Sequence, residues 1–344
     1  MSPSASTKVH TPEKSPSQGE LSKQYGGNYA GGWLARLPPS WIPYVQLARL
    51  SPPAGLFLIY FPHLFGILHA AVAQRSAPSQ VLRACIVMLP GSFFYSNAIH
   101  IWNDLVDAPV DKKVQRTSMR PIPRGAVSPR AAFVFTATQA MSAALVLLCF
   151  MPAGSARYAA PNMIPVLYYP WAKRHTHLAQ LVLGIWLGWG VLMGSVAMGQ
   201  IPYIVGPRLA HCSVDAPTIA LFLACVLWTV IYDTIYAFQD VEDDRKIGLK
   251  SLAVLLGERT KPVLWLILGG MVLLLVNSPP SNGEVGDSYY LFSVFGSFIS
   301  LGTMIYKVDL KSPSSCWWWF RYGFWVTGSL IAAGLGFEYV VGMP

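Results

Sequence analysis

Residues 216–244 read APTIALFLACVLWTVIYDTIYAFQDVEDD. The first 17 residues of this stretch carry no charge, and five carboxylates follow between Asp233 and Asp244. An uncharged run of this length, continued by a few apolar residues, is long enough to cross the hydrocarbon core of a bilayer as a helix. The stretch therefore predicts a membrane-spanning helix over 216–238 with acidic side chains at its end.

The rest of the chain has the same apolar character. It has 344 residues, of which 53% are hydrophobic and only 12% are charged, whereas soluble domains carry about 25% charged residues. This composition excludes a disordered chain and most soluble folds. Nine apolar segments predict membrane spans: 53–74, 80–102, 128–151, 158–171, 179–199, 216–238, 261–277, 288–306 and 317–338. Because a chain in lipid must satisfy its backbone hydrogen bonds internally, we expect an all-α, polytopic membrane protein with about nine transmembrane helices.

The basic residues favour one side of the membrane. With nine spans, the N-terminal region and the connections after even-numbered spans share a side, and with the adjoining span ends they hold 21 of the 25 Lys and Arg residues. Such connections usually face the cytoplasm, so we expect the N terminus and both acidic clusters there. The basic residues form no patch interleaved with aromatic residues, so the expected surrounding is a lipid bilayer and no nucleic-acid partner is expected.

The N-terminal region differs from the rest of the chain. Residues 1–39 are rich in Ser, Pro, Gly and Lys and contain no apolar run. This composition predicts a disordered cytoplasmic tail, followed by one transmembrane domain over 40–344. The tail lacks the hydrophobic region of a secretory signal. Its first arginine is Arg36, whereas mitochondrial transit peptides are rich in arginine and poor in acids.

Half of the 16 acidic residues fall in two short stretches, at the ends of the second and sixth predicted spans. Asn103, Asp107 and Asp111 are four residues apart, as are Asp240 and Asp244, so a helix places each set on one face. Like charges at this spacing repel each other unless cations lie between them. Oxygen ligands without sulfur or imidazole suit a hard cation such as Mg²⁺, which completes its shell with phosphate oxygens and water.

Basic residues follow both acidic stretches. They are Lys112, Lys113, Arg116, Arg120 and Arg124 after the first, Arg245, Lys246 and Lys250 after the second, and Lys173 and Arg174 in the connection between. Carboxylates, Mg²⁺ and basic side chains together are typical of a diphosphate site.

These stretches resemble the motifs of the UbiA superfamily of intramembrane prenyltransferases. Asn103 to Asp111 matches NDxxDxxxD, and Tyr236 to Asp244 matches YxxxDxxxD. Further collinear similarities cover about residues 47–260: Arg49 to Gly55 with RLxxPxG, Arg116 to Pro121 with RTxxRP, Tyr169 to Arg174 with YPxxKR, and Lys246 to Ser251 with a G-x-K-S segment. The last three predicted spans match in hydropathy alone.

The resemblance implies nine helices around a central cavity and Mg²⁺-dependent transfer of a prenyl group from its diphosphate to an aromatic acceptor. The residues that would hold Mg²⁺ against the diphosphate are Asn103, Asp104, Asp107, Asp111, Asp240 and Asp244, of which Asp107, Asp111, Asp240 and Asp244 are the expected catalytic set. Asp104 points about 100° away on a regular helix. The residues that would contact the diphosphate or hold the adjoining loops are Arg49, Arg116, Arg120 and Lys173. Arg174 would orient an acidic acceptor.

Other residues near the acidic ends are candidates for the reaction itself. Asp233, inside the sixth span, is either a partner of a metal ligand or a proton acceptor. Aromatic rings that would line the cavity and stabilise an allylic cation are Phe93, Phe94, Tyr95, Trp102, Tyr168, Trp186, Trp189 and Tyr232.

Departures from the family pattern bear on the acceptor. The segment Thr176 to Gln180 lacks the proline that precedes glutamine in ubiquinone-type enzymes, and Leu187 to Gly190 lacks the Asn-Trp-Gly of 4-hydroxybenzoate enzymes. The run Phe61 to Gly66 resembles members of fungal meroterpenoid pathways. We therefore favour farnesyl transfer from farnesyl diphosphate to a polyketide-derived phenol of the orsellinic-acid type, in an internal membrane such as the endoplasmic reticulum.

Several alternatives stay open. The first is 4-hydroxybenzoate polyprenyl transfer for ubiquinone synthesis, and haem farnesylation and homogentisate prenyl transfer are less favoured. An ion or phosphate transporter is the alternative of a different class. Transporters usually place charged sites near the bilayer midplane on broken helices, whereas the acids here lie at one membrane face beside basic residues.

Overall fold

The protein is described from a computed structural model over residues 27–51, 53–205, 213–280 and 286–342. Eight helices within these ranges are long and apolar enough to cross a membrane. The described part of the chain is almost entirely helical, apart from two-residue strands at β1, Tyr203–Ile204, and β2, Ser213–Val214, which pair antiparallel. This architecture confirms the all-α, polytopic fold that the sequence predicts.

The α-helices in chain order are α1 Ile42–Leu47, α2 Ala54–Gln74, α3 Pro78–Asp111, α4 Pro129–Phe150, α5 Ala156–Ala159, α6 Met163–His175, α7 Ala179–Ala197, α8 Ala216–Ala237, α9 Val241–Lys246, α10 Leu252–Leu256, α11 Thr260–Val276, α12 Asp287–Tyr289, α13 Ser297–Lys307 and α14 Pro313–Val341. A π-helical stretch, Tyr290–Gly296, joins α12 to α13, so that they form one span. Helices α10 and α11 likewise form one span over Leu252–Val276.

The fourth predicted span, 158–171, is broken in the structure. The region consists of α5, a 3-10 turn at Ala160–Asn162 and α6, which is 13 residues long. Pro161 lies in the turn and has no backbone N–H to donate, so it interrupts a continuous helix. At 1.5 Å per residue α6 extends only about 20 Å, less than the bilayer core.

The centre of the bundle is formed by α2, α7 and α8, which pack at very short range. A methyl group added to Gly66 would collide with the backbone carbonyl of Val191, and one added to Gly194 would collide with the carbonyl of His63. Small residues allow membrane helices to approach until their backbones touch. This contact holds α2 against α7, and α8 packs on the other side of α7.

Helix α4 has a different environment from the central helices. It packs mainly against α3, and its outer face exposes large apolar side chains, among them Phe133, Leu145 and Leu148. Such a face is stable in hydrocarbon and unfavourable in water, which agrees with a lipid-facing helix.

Residues 27–39, which belong to the predicted tail, lie within the described part of the chain. Residues Gly32–Arg36 form a 3-10 helix, and Leu34 is completely buried. The side-chain amide of Gln46 donates to the backbone carbonyls of Asn28 and Tyr29. The expected tail over 1–39 is therefore too long at its C-terminal end, because an apolar residue and backbone groups find partners there. Residues 1–26 lie outside the described residues.

Candidate active site

A polar cavity of about 130 Å³ lies where the C-terminal ends of α3, α6 and α8 meet. Its lining contains ten charged side chains: Arg49, Asp107, Asp111, Arg116, Arg120, Lys173, Arg174, Asp233, Asp240 and Asp244. Asn103, Tyr169 and Tyr236 add neutral polar groups. The two acidic stretches and their basic neighbours, which lie far apart in the sequence, therefore meet in one cavity.

Helix α3 continues through the first acidic stretch and ends at Asp111. Pro109 lies in its last turn and removes one backbone hydrogen bond there, yet the helix continues to Asp111. Asn103, Asp107 and Asp111 consequently lie on one face and line the cavity. The four-residue spacing predicts this stripe.

Asp104 lies behind the cavity wall and is almost completely buried. Its Oδ1 accepts from Arg49 Nη2 at 2.6 Å and from Arg120 Nη1 at 3.1 Å. Arg49 has a left-handed backbone with φ of 54°, unusual for a residue with a side chain, directly after the end of α1. This geometry favours Asp104 as the residue that holds two guanidinium groups, rather than as a direct metal ligand.

The second stripe lies on α8 and the start of α9. Asp233, Tyr236, Asp240 and Asp244 line the cavity at intervals of three or four residues. Arg116 from the connection after α3 reaches across to this stripe. It donates to Asp240 through Nη2 at 2.5 Å and Nε at 2.9 Å, and to the Tyr236 hydroxyl at 3.1 Å.

Arg116 and Asp240 form a buried ion pair, and this pairing shifts the pKa of Asp240. Burial by itself raises the pKa of Asp240, but the adjacent guanidinium of Arg116 outweighs burial and holds that pKa below its usual value. The carboxylate is therefore ionised at neutral pH. A two-point contact between guanidinium and carboxylate also fixes the orientation of both groups.

Three further carboxylates of the two stripes contact basic residues. Asp111 accepts from Arg120 Nη1 at 2.9 Å, Asp244 lies 3.3 Å from Lys173 Nζ, and Asp107 lies 3.4 Å from Arg174 Nη2. Burial lowers the pKa of Lys173, but the negative charges of Asp244, Asp240 and Asp233 outweigh burial and raise it. Lys173 therefore stays positively charged.

The oxygen donors of this cavity fit Mg²⁺ in their chemistry. Asn103 Oδ1 is buried and has no hydrogen-bond partner among the described residues, so this oxygen is available to a hard cation. In the described ranges, however, no three His, Cys, Asp or Glu side chains converge closely enough to hold a metal ion by themselves. A Mg²⁺ ion here requires phosphate oxygens and water in its shell, which is its usual coordination beside few protein carboxylates.

A second, apolar cavity of about 390 Å³ is lined by neighbouring segments of the same helices. Along α3, Ile99 and Trp102 line the apolar cavity, and Asn103 begins the polar one. Along α6, Leu167 lines the apolar cavity and Tyr169 the polar one. The lining therefore changes from apolar to polar along both helices, and this order matches a molecule with a charged head and a hydrocarbon tail.

Four of the eight aromatic candidates from the sequence line the apolar cavity: Tyr95, Trp102, Trp186 and Trp189. Phe93, Phe94, Tyr168 and Tyr232 do not line either of these two cavities. Tyr232 instead packs against Trp228 and Phe324 in the core.

Tyr169 and Asn162 are among the polar cavity residues that sequence reasoning missed. Tyr169 lines the polar cavity, and Asn162, in the turn that breaks the fourth span, lines the apolar one and donates to Tyr95 Oη at 3.1 Å. The matched YPxxKR segment begins at Tyr169, so the motif could have indicated that Tyr169 belongs to the site. The neighbours of Asn162 carry no comparable pattern.

Comparisons with known proteins agree with this geometry. Residues 30–328 match the UbiA prenyltransferase family. The mitochondrial 4-hydroxybenzoate polyprenyltransferase of Schizosaccharomyces pombe is 34% identical over 308 residues, which are 90% of this chain and 83% of that protein. The prenyltransferase stbC of Stachybotrys bisbyi is 32% identical over 299 residues, which are 85% of this chain and 86% of stbC.

Solved structures share the fold. A UbiA homologue from Aeropyrum pernix superposes with a TM-score of 0.63 at 22% identity, covering 83% of this chain and 98% of the homologue. A UbiA homologue from Archaeoglobus fulgidus bound to GPP and Mg²⁺ gives a TM-score of 0.60 at 17% identity, covering 83% and 99% of the two chains.

Proposed function

Because the chain belongs to the UbiA prenyltransferase family, we propose that it transfers a farnesyl group from farnesyl diphosphate to a polyketide-derived phenol of the orsellinic-acid type. It is a multi-pass membrane prenyltransferase, and its relatives support an aromatic acceptor. The observation that carries the proposal is the succession of a charged and an apolar cavity along α3 and α6, whose linings touch where Tyr169 packs against Trp186. A prenyl diphosphate has the same two parts in the same order.

The head of the donor is bound by the basic residues. Arg116, Arg120 and Lys173 line the polar cavity and are each engaged by a carboxylate in the structure. A diphosphate offers these groups more oxygens and more charge than one carboxylate does. We expect it to compete with the carboxylates for the basic groups and to free carboxylate oxygens.

The same cavity would hold Mg²⁺. Asn103, Asp107 and Asp111 on one wall, with Asp240 and Asp244 on the other, are the residues that would hold it together with the diphosphate. When bound, the ion acts as a Lewis acid that stabilises the charge of the departing diphosphate. The basic side chains also stabilise the departing diphosphate, since they lie where negative charge develops.

The apolar cavity holds the prenyl chain and keeps water away from the reacting carbon. Its volume of about 390 Å³ lies in the usual range for small-molecule sites, about 300–1,000 Å³. The rings of Trp102 and Trp186 are in the lining, and aromatic rings there stabilise positive charge as the bond to diphosphate weakens. Arg174, which is one-third exposed and contacts Asp107, is available to an acidic acceptor.

The acceptor choice rests on positions 176–190. At position 188, where 4-hydroxybenzoate enzymes have the asparagine of Asn-Trp-Gly, this chain has Gly188. A side chain there would lie within 3.2 Å of the Phe222 carbonyl oxygen on α8. Gly188 therefore serves helix packing and supplies no polar group to an acceptor, which supports an acceptor other than 4-hydroxybenzoate.

The second candidate function is 4-hydroxybenzoate polyprenyl transfer. The observation that favours it is the name and similarity of the yeast relatives, including the Saccharomyces cerevisiae protein at 32% identity over 337 residues. Both relatives are named mitochondrial, whereas the endoplasmic reticulum is the location proposed here. Fractionation of cells that express the full chain distinguishes the two membranes.

The test of the proposal is an assay on membranes that contain the full chain. They receive Mg²⁺, farnesyl diphosphate, 4-hydroxybenzoate and a methylated orsellinic acid, with products identified by mass spectrometry. A farnesyl adduct of the orsellinic acid alone supports the proposal. An adduct of 4-hydroxybenzoate alone overturns the proposed acceptor and supports the second candidate, and donor length is then varied.

A further inference from the structure

Asp233 lies on the same face of α8 as the second acidic stripe, but deeper along the helix. It precedes Tyr236 by about one turn and Asp240 by seven residues, which corresponds to roughly 10 Å along the axis. Asp233 lines the polar cavity, and part of its surface stays accessible although its helix neighbours Tyr232 and Thr234 are buried. Its accessible part therefore belongs to the cavity wall.

The carboxylate of Asp233 differs from the others in its partners. Asp107, Asp111, Asp240 and Asp244 each contact an Arg or Lys side chain. Asp233 takes part in no hydrogen bond or ion pair with any residue in the described ranges, and the Lys173 ammonium stabilises its charge from a distance. An unpartnered carboxylate in so apolar a helix is costly, and such residues usually have a function.

Asp233 lies close to the junction of the two cavities. Like Asp233, Tyr169 lines the polar cavity. The ring of Tyr169 packs edge-on against Trp186, with 6.1 Å between ring centroids, and Trp186 lines the apolar cavity. A donor whose diphosphate lies in the polar cavity and whose chain lies in the apolar one has its reacting carbon at this junction.

We propose that Asp233 accepts the proton that the aromatic ring loses during prenyl transfer, an inference that rests on the proposed function. The bond between the first prenyl carbon and the diphosphate oxygen breaks, and its electron pair leaves with the diphosphate. A π-electron pair of the ring forms the new carbon–carbon bond. The hydrogen on the attacked ring carbon leaves as a proton to an Asp233 carboxylate oxygen, and its bonding electrons restore aromaticity. Asp233 then releases the proton to water in the polar cavity.

The test compares Asp233→Asn, which keeps the shape of the side chain and removes its basicity, with Asp233→Glu, which keeps the carboxylate. Positioned proton transfer contributes about 10²- to 10⁴-fold to a rate, so we expect Asp233→Asn to lose kcat by about that factor with little change in KM for farnesyl diphosphate. Deuterium at the attacked ring carbon of the orsellinic acid slows Asp233→Asn further, because proton loss becomes rate-limiting. Asp233→Glu recovers a large part of kcat.

The matched control is Asp243→Asn. Asp243 carries the same functional group close by, but it contacts Lys246 and does not line the polar cavity. This variant is expected to keep the wild-type rate and to show no new isotope effect. Membrane accumulation of each variant is measured beside its activity.

The outcomes separate this inference from the proposed function. Wild-type kcat in Asp233→Asn, or a loss of kcat without an isotope effect, overturns the role of Asp233 and leaves the proposed function intact. A wild-type protein that transfers no prenyl group to either acceptor overturns both. If Asp233→Asn does not accumulate, the isotope effect is measured on Asp233→Glu instead. Its longer side chain displaces the base, so an isotope effect is expected if Asp233 accepts the proton, and none is expected if the carboxylate is purely structural.

Discussion

The buried pair of Arg116 and Asp240 allows stability and activity to be separated. Both side chains are about nine-tenths buried, and three hydrogen bonds join them. Asp240→Asn removes one charge and leaves the guanidinium with the Tyr236 hydroxyl as its other contact. Breaking a buried ion pair by removing one partner costs about 3–5 kcal/mol. Replacing both partners by neutral groups costs much less.

The expected change in melting temperature follows from the size of the chain. An unfolding entropy of about 2.1 cal/mol/K per residue gives about 0.7 kcal/mol/K for 344 residues. A loss of 3–5 kcal/mol therefore lowers Tm by about 4–7 °C in Asp240→Asn. The double variant Arg116→Met with Asp240→Asn is expected to recover most of this loss and to stay inactive, because neither the diphosphate nor the metal keeps its ligands.

The assay is thermal unfolding of the purified protein in detergent, followed by intrinsic tryptophan fluorescence, with prenyl transfer measured on the same samples. A double variant whose Tm loss equals the sum of the two single losses refutes the account of the pair. Activity in the double variant refutes the assignment of both residues to the site.

The same pair gives a pH dependence. The pKa of Asp240 is lower in the folded protein than its ordinary value of 3.8. A carboxyl group with a lowered folded-state pKa stabilises the fold fully above its unfolded-state pKa, and this contribution is lost as pH falls through the folded-state pKa. We therefore expect the Tm difference between wild type and Asp240→Asn to be constant near neutral pH and to shrink below about pH 4.

Three further predictions concern other parts of the molecule. Asp107→Ala is expected to abolish turnover while the protein still accumulates in membranes, as measured by immunoblot and product assay; full activity would refute its place in the site. Gly66→Ala is expected to lower stability by about 1–3 kcal/mol, since its methyl group collides with α7, and an unchanged Tm would contradict that packing. Chelation with EDTA is expected to stop prenyl transfer, with recovery on adding Mg²⁺, and undiminished activity in EDTA would exclude the metal.

Much of the fold follows from local properties of the sequence. Uncharged runs predict the spans, because hydrocarbon tolerates only an internally bonded backbone, and four-residue spacing predicts the stripe of Asn103, Asp107 and Asp111. The break in the fourth span could not be predicted in the same way, since Pro161 is compatible with a kinked span as well as with two separate helices. The composition of residues 1–39 did not indicate the 3-10 helix at Gly32–Arg36, because one buried side chain, Leu34, is too little for a compositional signal.

The partners of the charged residues could not be predicted from spacing. Arg116 and Asp240 are 124 residues apart, and their contact depends on how α3 and α8 approach each other. The same holds for Asp104, which a motif groups with its neighbours and which the fold turns towards Arg49. The unpartnered state of Asp233 is visible only once the partners of the other carboxylates are known.

The most direct measurement of the central claim is an experimental structure of the protein with Mg²⁺ and a thio analogue of farnesyl diphosphate that does not react. The account predicts diphosphate contacts with Lys173 and Arg116, and a prenyl chain running past Trp186 in the apolar cavity. A donor whose diphosphate lies outside the polar cavity, or whose chain avoids the apolar cavity, would contradict it.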